Sequence, residues 1–222
     1  MLILGLTGSI GMGKTTAAAM LRRLGLPLHD ADAAVHRLMG PGGGAVAEIA
    51  AAFPGVERDG VIDRRALGDR VFGDAQALAR LEAILHPLVR RAAYAFLRRQ
   101  ARRGRPLVVL DIPLLFETGG EALCDAVVLV SAPARVQAAR VLSRPGMTRE
   151  KFAAILAQQM SDREKRRRAD FVVLTGLGKR ETLRRLIGIV RLMRRRPARH
   201  WPRRWSPHTR RNRGASVTGA RR

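Results

Sequence analysis

The sequence predicts an α/β protein built on a five-stranded parallel sheet flanked by helices. Three observations lead there. Short apolar runs recur at residues 2–6, 26–29, 107–110, 126–130 and 171–174. Such near-continuous runs fit strands covered on both faces. Helical segments separate most of the runs, as parallel crossovers require. Between the first run and the first helix stands a glycine-rich stretch, GLTGSIGMGKTTAAAM, at residues 5–20.

Each element has its own signal. Residues 2–6 form the first strand, and residues 15–24 form a helix that Gly25 stops. A short second strand at 26–29 leads into Asp30-Ala31-Asp32. The third strand, 107–110, ends in Asp111-Ile112-Pro113. Between strands two and three lies an insertion of about residues 33–104, too long for a simple crossover. Within it Leu81, Leu85, Leu88, Val89, Ala92 and Phe96 repeat at helical spacing. GPGGG at 40–44 and the stretch 53–60 are expected as connections. A second helical segment spans 140–168, with Thr148 as an N-cap and Ser161 to Glu164 spaced as a capping box. The expected division is one folded domain at 1–193 and a tail at 194–222, rich in Arg and Pro and without apolar periodicity, expected to be disordered.

Composition excludes several classes. The 222 residues carry 46% apolar side chains, enough for a substantial core. No run approaches the roughly 20 apolar residues of a membrane helix. MLILGLTGS has neither the basic start nor the long apolar stretch of a secretory signal. One cysteine, Cys124, supports neither a disulfide framework nor a cysteine metal cluster. A cytoplasmic address is expected. The net charge of +24 is less telling than its size suggests. The 42 basic residues are 38 Arg and 4 Lys, a skew that a GC-rich genome would produce. The tail from residue 194 holds 11 Arg and no acid, leaving about +13 on residues 1–193. That remainder suits an acidic small molecule as well as a nucleic acid.

Gly8 to Thr15 spell G-S-I-G-M-G-K-T and match G-x-x-x-x-G-K-[ST]. In that pattern successive backbone N–H groups turn toward one anion, and the following helix adds its positive end. The expected nucleotide-binding residues are Gly8, Ser9, Ile10, Gly11, Met12, Gly13, Lys14, Thr15 and Thr16. Lys14 would reach the terminal phosphates, and the Thr15 hydroxyl would ligate Mg²⁺. A lysine kept in so arginine-rich a chain fits a site that needs a compact point charge. The strand before the loop and the helix after it supply the required context, so the sequence predicts a P-loop fold that binds ATP with Mg²⁺.

No Asn-Lys-x-Asp for guanine occurs, and the chain is short for an ATPase machine. A small kinase needs a carboxylate near the loop, an acceptor-holding insertion and an arginine-rich cover. Asp30 and Asp32 supply the carboxylates, at the carboxyl end of strand two, where such sheets present ligands. In an extended segment they would point to one side, one serving the acceptor hydroxyl and the other orienting the site. Asp32 could alternatively cap the helix that follows. Asp111 could join the water shell of Mg²⁺. His86, before Pro87, by itself marks a helix boundary. Arg163 would help close a cover over ATP, and Arg166 to Arg168 are expected as a solvated run. Neither His29 nor His36 has the partners of a metal ligand.

GLTGSIGMGKT, HDADAAVHRL, LHPLVR at 85–90, LVVLDIPLLFE at 107–117 and TREKFAAILAQQMSDREKRRRAD at 148–170 occur in an order that resembles dephospho-CoA kinase. The resemblance implies transfer of phosphate from ATP to the ribose 3′-hydroxyl of dephospho-CoA. It also implies that Asp32 is the catalytic carboxylate, that Arg140 contacts phosphate beside Lys14, and that residues 140–168 form a lid. Asp30, Asp32 and His86 would then stand on the acceptor side. Thr175-Gly176 departs from an Asn-Gly expected near adenine, and Ser9 and Met12 depart from Gly and Ser. Two other readings stay open at this point. One is a kinase of nucleosides or nucleoside monophosphates. The other is nucleic-acid binding through the tail, where HWPRRW at 200–205 interleaves Trp with Arg, although non-specific contact is all that segment suggests.

Overall fold

The computed structural model describes residues 1–198 and Trp201. The chain opens with β1 (Leu2–Thr7), buried throughout, followed by the glycine-rich loop and α1 (Lys14–Arg23). Next come β2 (Leu28–Asp30), α2 (Ala31–Met39) and α3 (Val46–Ala52). A small antiparallel hairpin, β3 (Glu57–Arg58) and β4 (Val61–Ile62), turns at Asp59-Gly60. The stretch 53–60, expected as connection alone, thus contributes a strand. The turn chemistry of Asp-Gly was its signal.

After the hairpin run α4 (Arg64–Val71) and α5 (Ala75–Arg102), then β5 (Leu107–Asp111). They are followed by β6 (Ala126–Ser131), α6 (Ala134–Leu142), α7 (Arg149–Ala157) and α8 (Asp162–Arg168). The last elements are β7 (Phe171–Leu174) and α9 (Lys179–Met193). Thr148 and Ser161 do cap α7 and α8 through their hydroxyls.

The five long strands pair in the order β2-β5-β1-β6-β7, and every pair is parallel. Alternation along the strands sends side chains to two cores. Leu2, Leu4 and Leu6 join Leu21, Leu186 and Val190 on the face covered by α1 and α9. Ile3, Val108 and Leu110 turn the other way and meet Phe96, Leu97 and Leu115. A third cluster gathers Met39, Ile49, Phe53, Ile62, Leu67 and Leu81 within the insertion.

Helix α5 joins the insertion to the sheet. Its 28 residues span roughly 42 Å at the helical rise. Leu81 packs in the insertion and Phe96 against the sheet. The helix runs through Pro87, so His86-Pro87 is not a helix boundary. A proline removes one backbone bond and strains the preceding turn. Burial of apolar side chains on both sides of Pro87 keeps the two halves of the helix in place.

Arg166, Arg167 and Arg168 are all exposed, as expected of a solvated run, but two of the three are paired. Arg166 bonds Asp162 Oδ2 at 2.7 Å and Ser131 Oγ at 2.9 Å. Arg168 pairs with Glu121 and lies over the Phe116 ring. At the start of the tail, Arg196 lies over the Phe171 ring and Trp201 packs against Tyr94. The rest of the segment expected to be disordered, including most of HWPRRW, lies outside the described residues.

Candidate active site

Register brings the site together. Asp30 lies level with Asp111 across β2 and β5, and Leu6 lies level with Asp111 across β1 and β5. The carboxyl ends of three adjacent strands thus deliver Asp30, Asp111 and the glycine-rich loop to one edge. In that loop Gly11 and Gly13 have φ of 75° and 90°, which an L side chain rarely adopts. Gly13 precedes α1 with no side-chain cap. The first N–H groups of the helix are therefore open to an anion.

Two cavities meet at this edge. One, of about 570 Å³, is lined by the loop from Gly8 to Thr16 together with Arg140, Arg144, Gln159, Thr175 and Lys179. The other, of about 490 Å³, is lined by Arg22, Asp30, His36, Arg37 and Asp111. Lys14, Thr15 and Asp32 line both. The structure brings together most of the residues expected from sequence, with two exceptions. Met12 turns inward to the core, its sulfur accepting the Ala132 N–H at 3.0 Å. His86 lines neither cavity.

The carboxylates adopt a different geometry from the one expected. Asp30 ends β2 and caps α2, its side chain accepting the Ala33 N–H at 3.0 Å. Asp32 stands in the first turn of α2. The pair is therefore not extended, and the capping residue is Asp30 rather than Asp32. Competition for the open N–H groups of α2 decides this: only the residue before the helix can reach them. Asp32 is left exposed, with no hydrogen bond or ion pair among the described residues.

Charges around the loop are arranged by burial. Asp111 is 2% exposed, and burial raises its carboxyl above the usual range. Lys14 opposes that rise from 2.9 Å, while Asp30 and Asp32 add to it. Burial also works against ionisation of Asp30. The Ala33 N–H, Lys14 and Arg22 outweigh it and hold that carboxyl below its usual range. No group of three or more His, Cys, Asp or Glu able to hold a metal stands together among the described residues. Mg²⁺ does not need one, since it keeps waters and takes substrate phosphates. The hard oxygen donors of Thr15 and Asp111 fit such an ion.

Thr175 is the hub behind the loop. Its hydroxyl donates to Met12 O at 2.7 Å and accepts from Arg140 at 2.9 Å. The Arg140 guanidinium also bonds Thr175 O at 2.9 Å and Gly11 O at 3.4 Å. Gln137 donates to Ile10 O at 2.8 Å, and Gln159 accepts the Ile10 N–H at 3.2 Å. Helix α6 and the α7–α8 corner thus both hold the loop.

The dephospho-CoA kinase family model matches residues 2–178. The chain belongs to the dephospho-CoA kinase family.

Relatives agree over most of their length. A dephospho-CoA kinase of Paramagnetospirillum magneticum is 69% identical over 166 residues, covering 75% of this chain and 78% of that protein. One of Mesorhizobium japonicum is 61% identical over 178 residues, covering 80% and 89%. The crystal structure of TT1252 from Thermus thermophilus superposes with a TM-score of 0.75 at 40% identity, covering 86% of this chain and 96% of that one. The dephospho-CoA kinase of Campylobacter jejuni, at 23% identity and a TM-score of 0.60, shares the fold over 86% and 96%.

Within this dephospho-CoA kinase fold, sequence reasoning missed the roles of Gln137, Gln159 and the buried pair Lys165–Glu117. Lys165 is fully buried, with Nζ 2.8 Å from Glu117 Oε1. The approach is off the line of a directed hydrogen bond, so the contact is an ion pair by distance. Glu117 also accepts the Met160 N–H at 2.9 Å, tying the α7–α8 corner to the loop after β5. The only signal was an exposed-looking Asp-Arg-Glu-Lys run whose lysine sits on the inner face of α8.

Proposed function

We propose that the chain transfers the γ-phosphoryl group of ATP to the ribose 3′-hydroxyl of dephospho-CoA, giving CoA and ADP. One observation carries this reading beyond family membership: the two cavities share Lys14, Thr15 and Asp32. A donor on the glycine-rich loop and an acceptor beside α2 would therefore meet at a lysine, a hydroxyl and a carboxylate. Phosphoryl transfer asks for little else than positioning and charge stabilisation at that point.

In this reading the loop N–H groups and the α1 N-terminus bind the ATP phosphates. Lys14 turns from Asp111 toward the transferring group, and Arg140 holds the loop through Gly11 O and Thr175. Asp32 orients the acceptor hydroxyl in line and takes its proton late in the transfer. Mg²⁺, held by Thr15 and within reach of Asp111 through water, would neutralise charge between the outer phosphates. The insertion of residues 33–104 receives the acceptor, and residues 140–168 close over ATP. That α7 has no buried residue supports the second assignment, since a moving cover is drawn from weakly packed structure. No helix among the described residues is long and apolar enough to cross a membrane, and we place the reaction in the cytoplasm.

A coupled ADP-release assay tests the reading. ATP hydrolysis alone should be slow and dephospho-CoA should stimulate it strongly, with product phosphorylated at the 3′ position. Stronger stimulation by nucleosides or nucleoside monophosphates would overturn it in favour of another small-molecule kinase.

A further inference from the structure

The cavity beside α2 is lined by three carboxylates, Asp30, Asp32 and Asp111, and by three cations, Lys14, Arg22 and Arg37. Four of the six are paired across it. Lys14 meets Asp111 at 2.9 Å, and Arg22 meets Asp30 at 3.5 Å. Asp32 and Arg37 remain, one of each sign, with no side-chain hydrogen bond or ion pair among the described residues. They belong to one helix. Asp32, Ala33, His36 and Arg37 all line the cavity, the i, i+1, i+4, i+5 stripe that a helix turns to one side.

His36 adds a directed donor. Arg64, the first residue of α4, stands 2.9 Å from His36 Nδ1. A guanidinium has only donors to offer, so Nδ1 is the acceptor and the neutral ring carries its proton on Nε2. The insertion thereby sets the tautomer of a histidine one turn beyond Asp32.

We propose that Arg37, assisted by His36 in the tautomer set by Arg64, binds the diphosphate of the acceptor while Asp32 faces its ribose hydroxyl. This rests on the acceptor being dephospho-CoA, whose ribose carries the hydroxyl to be phosphorylated and, through its 5′ carbon, a diphosphate. Along α2 the step from Asp32 to Arg37 is about 7.5 Å, of the order of that ribose's own span. An unpaired guanidinium at that distance matches a diphosphate by charge and by its fork of donors. The unpaired carboxylate at the other end would repel the diphosphate. One helix thus orients the acceptor as well as holding it.

The test compares the unaltered protein with R37Q and R37K. In R37Q the KM for dephospho-CoA should rise about 10- to 100-fold, the scale of one charge-assisted contact. The KM for ATP and the thermal midpoint should hold. Adenosine, which has the ribose but no phosphate, should inhibit R37Q and the unaltered protein with equal Ki. R37K should recover part of the loss. Binding of dephospho-CoA without ATP, by calorimetry, should weaken in parallel.

An unchanged dephospho-CoA KM in R37Q would overturn the assignment and leave the reaction standing. Equal losses for adenosine and dephospho-CoA would overturn it as well, because they would mark a deformed cavity. If the unaltered protein bound dephospho-CoA without phosphorylating it, and R37Q lost that binding, the diphosphate site would stand and the reaction would fall. A protein that neither bound nor phosphorylated dephospho-CoA would overturn both.

Discussion

Lys14 Nζ lies 2.9 Å from Asp111 Oδ1, so the loop lysine is held by a buried carboxylate at the end of β5. In the proposed reaction the pair would place a positive charge where ATP phosphates arrive, with Asp111 available to a metal-bound water. Asp111→Asn keeps the shape and removes the charge. The expected result is a rise of about tenfold in the Mg²⁺ concentration for half-maximal rate, the size of one charge-assisted hydrogen bond. Rates titrated with Mg²⁺ at saturating ATP check it. An unchanged Mg²⁺ requirement would confine Asp111 to holding Lys14.

Asp32 has no structural bond to lose among the described residues, which makes its replacement clean. Asp32→Asn should leave ATP binding intact and lower kcat by about 10²-fold or more, the scale of a general base. Nucleotide titration and steady-state turnover measure the two separately. Near-normal turnover would remove Asp32 from the chemistry.

The sheet and the phosphate loop were legible because their signals are local. Continuous apolar runs mark strands buried on both faces, and the glycine spacing around Lys14 carries its own backbone requirement. The site was legible in its membership but not in its geometry. Asp30 and Asp32 were found, yet which of them capped α2 depended on where the helix began, one residue apart. Pro87 misled for the opposite reason. Its local preference is strong, but packing of Leu81 on one side and Phe96 on the other overrode it. The Lys165–Glu117 pair could not be read at all, because it joins segments 48 residues apart and depends on which face of α8 turns inward.

Thr175 stands where an adenine-side asparagine was expected, and its hydroxyl serves the loop instead. Thr175→Val keeps the shape but strips Met12 O and Arg140 of a partner. The expected cost is about 1–3 kcal/mol of stability, as for an unsatisfied buried group. The KM for ATP should rise several-fold as the loop loosens, with the KM for dephospho-CoA little changed. Denaturant titration and a kinetic comparison of the two substrates check both expectations.

The Lys165–Glu117 pair gives an asymmetric expectation. Glu117→Gln leaves a buried ammonium without its counter-charge and should cost about 3–5 kcal/mol. Replacing both residues, with Lys165→Met and Glu117→Gln, removes the charge together with its partner and should recover much of the loss. Equilibrium unfolding of the single and double variants decides the matter. A double variant no more stable than Glu117→Gln would show that the lysine matters for its shape rather than its charge.

His29 supplies a pH dependence whose sign is fixed. Burial first, and then the charge of Arg37, lower its pKa from 6.5 to about 4, with Arg99 adding to the shift and Asp30 opposing it. The unfolded chain therefore binds a proton below 6.5 that the folded chain refuses until about 4. Folding stability from this residue is complete above pH 6.5 and is lost as pH falls toward 4, by up to about 3 kcal/mol. His29→Gln removes the titration. Urea unfolding of both proteins between about pH 4 and pH 8 should give a difference that is constant above 6.5 and shifts in favour of the variant below it. A difference that stayed flat across the range would mean that His29 takes up its proton in the folded state as readily as in the unfolded one.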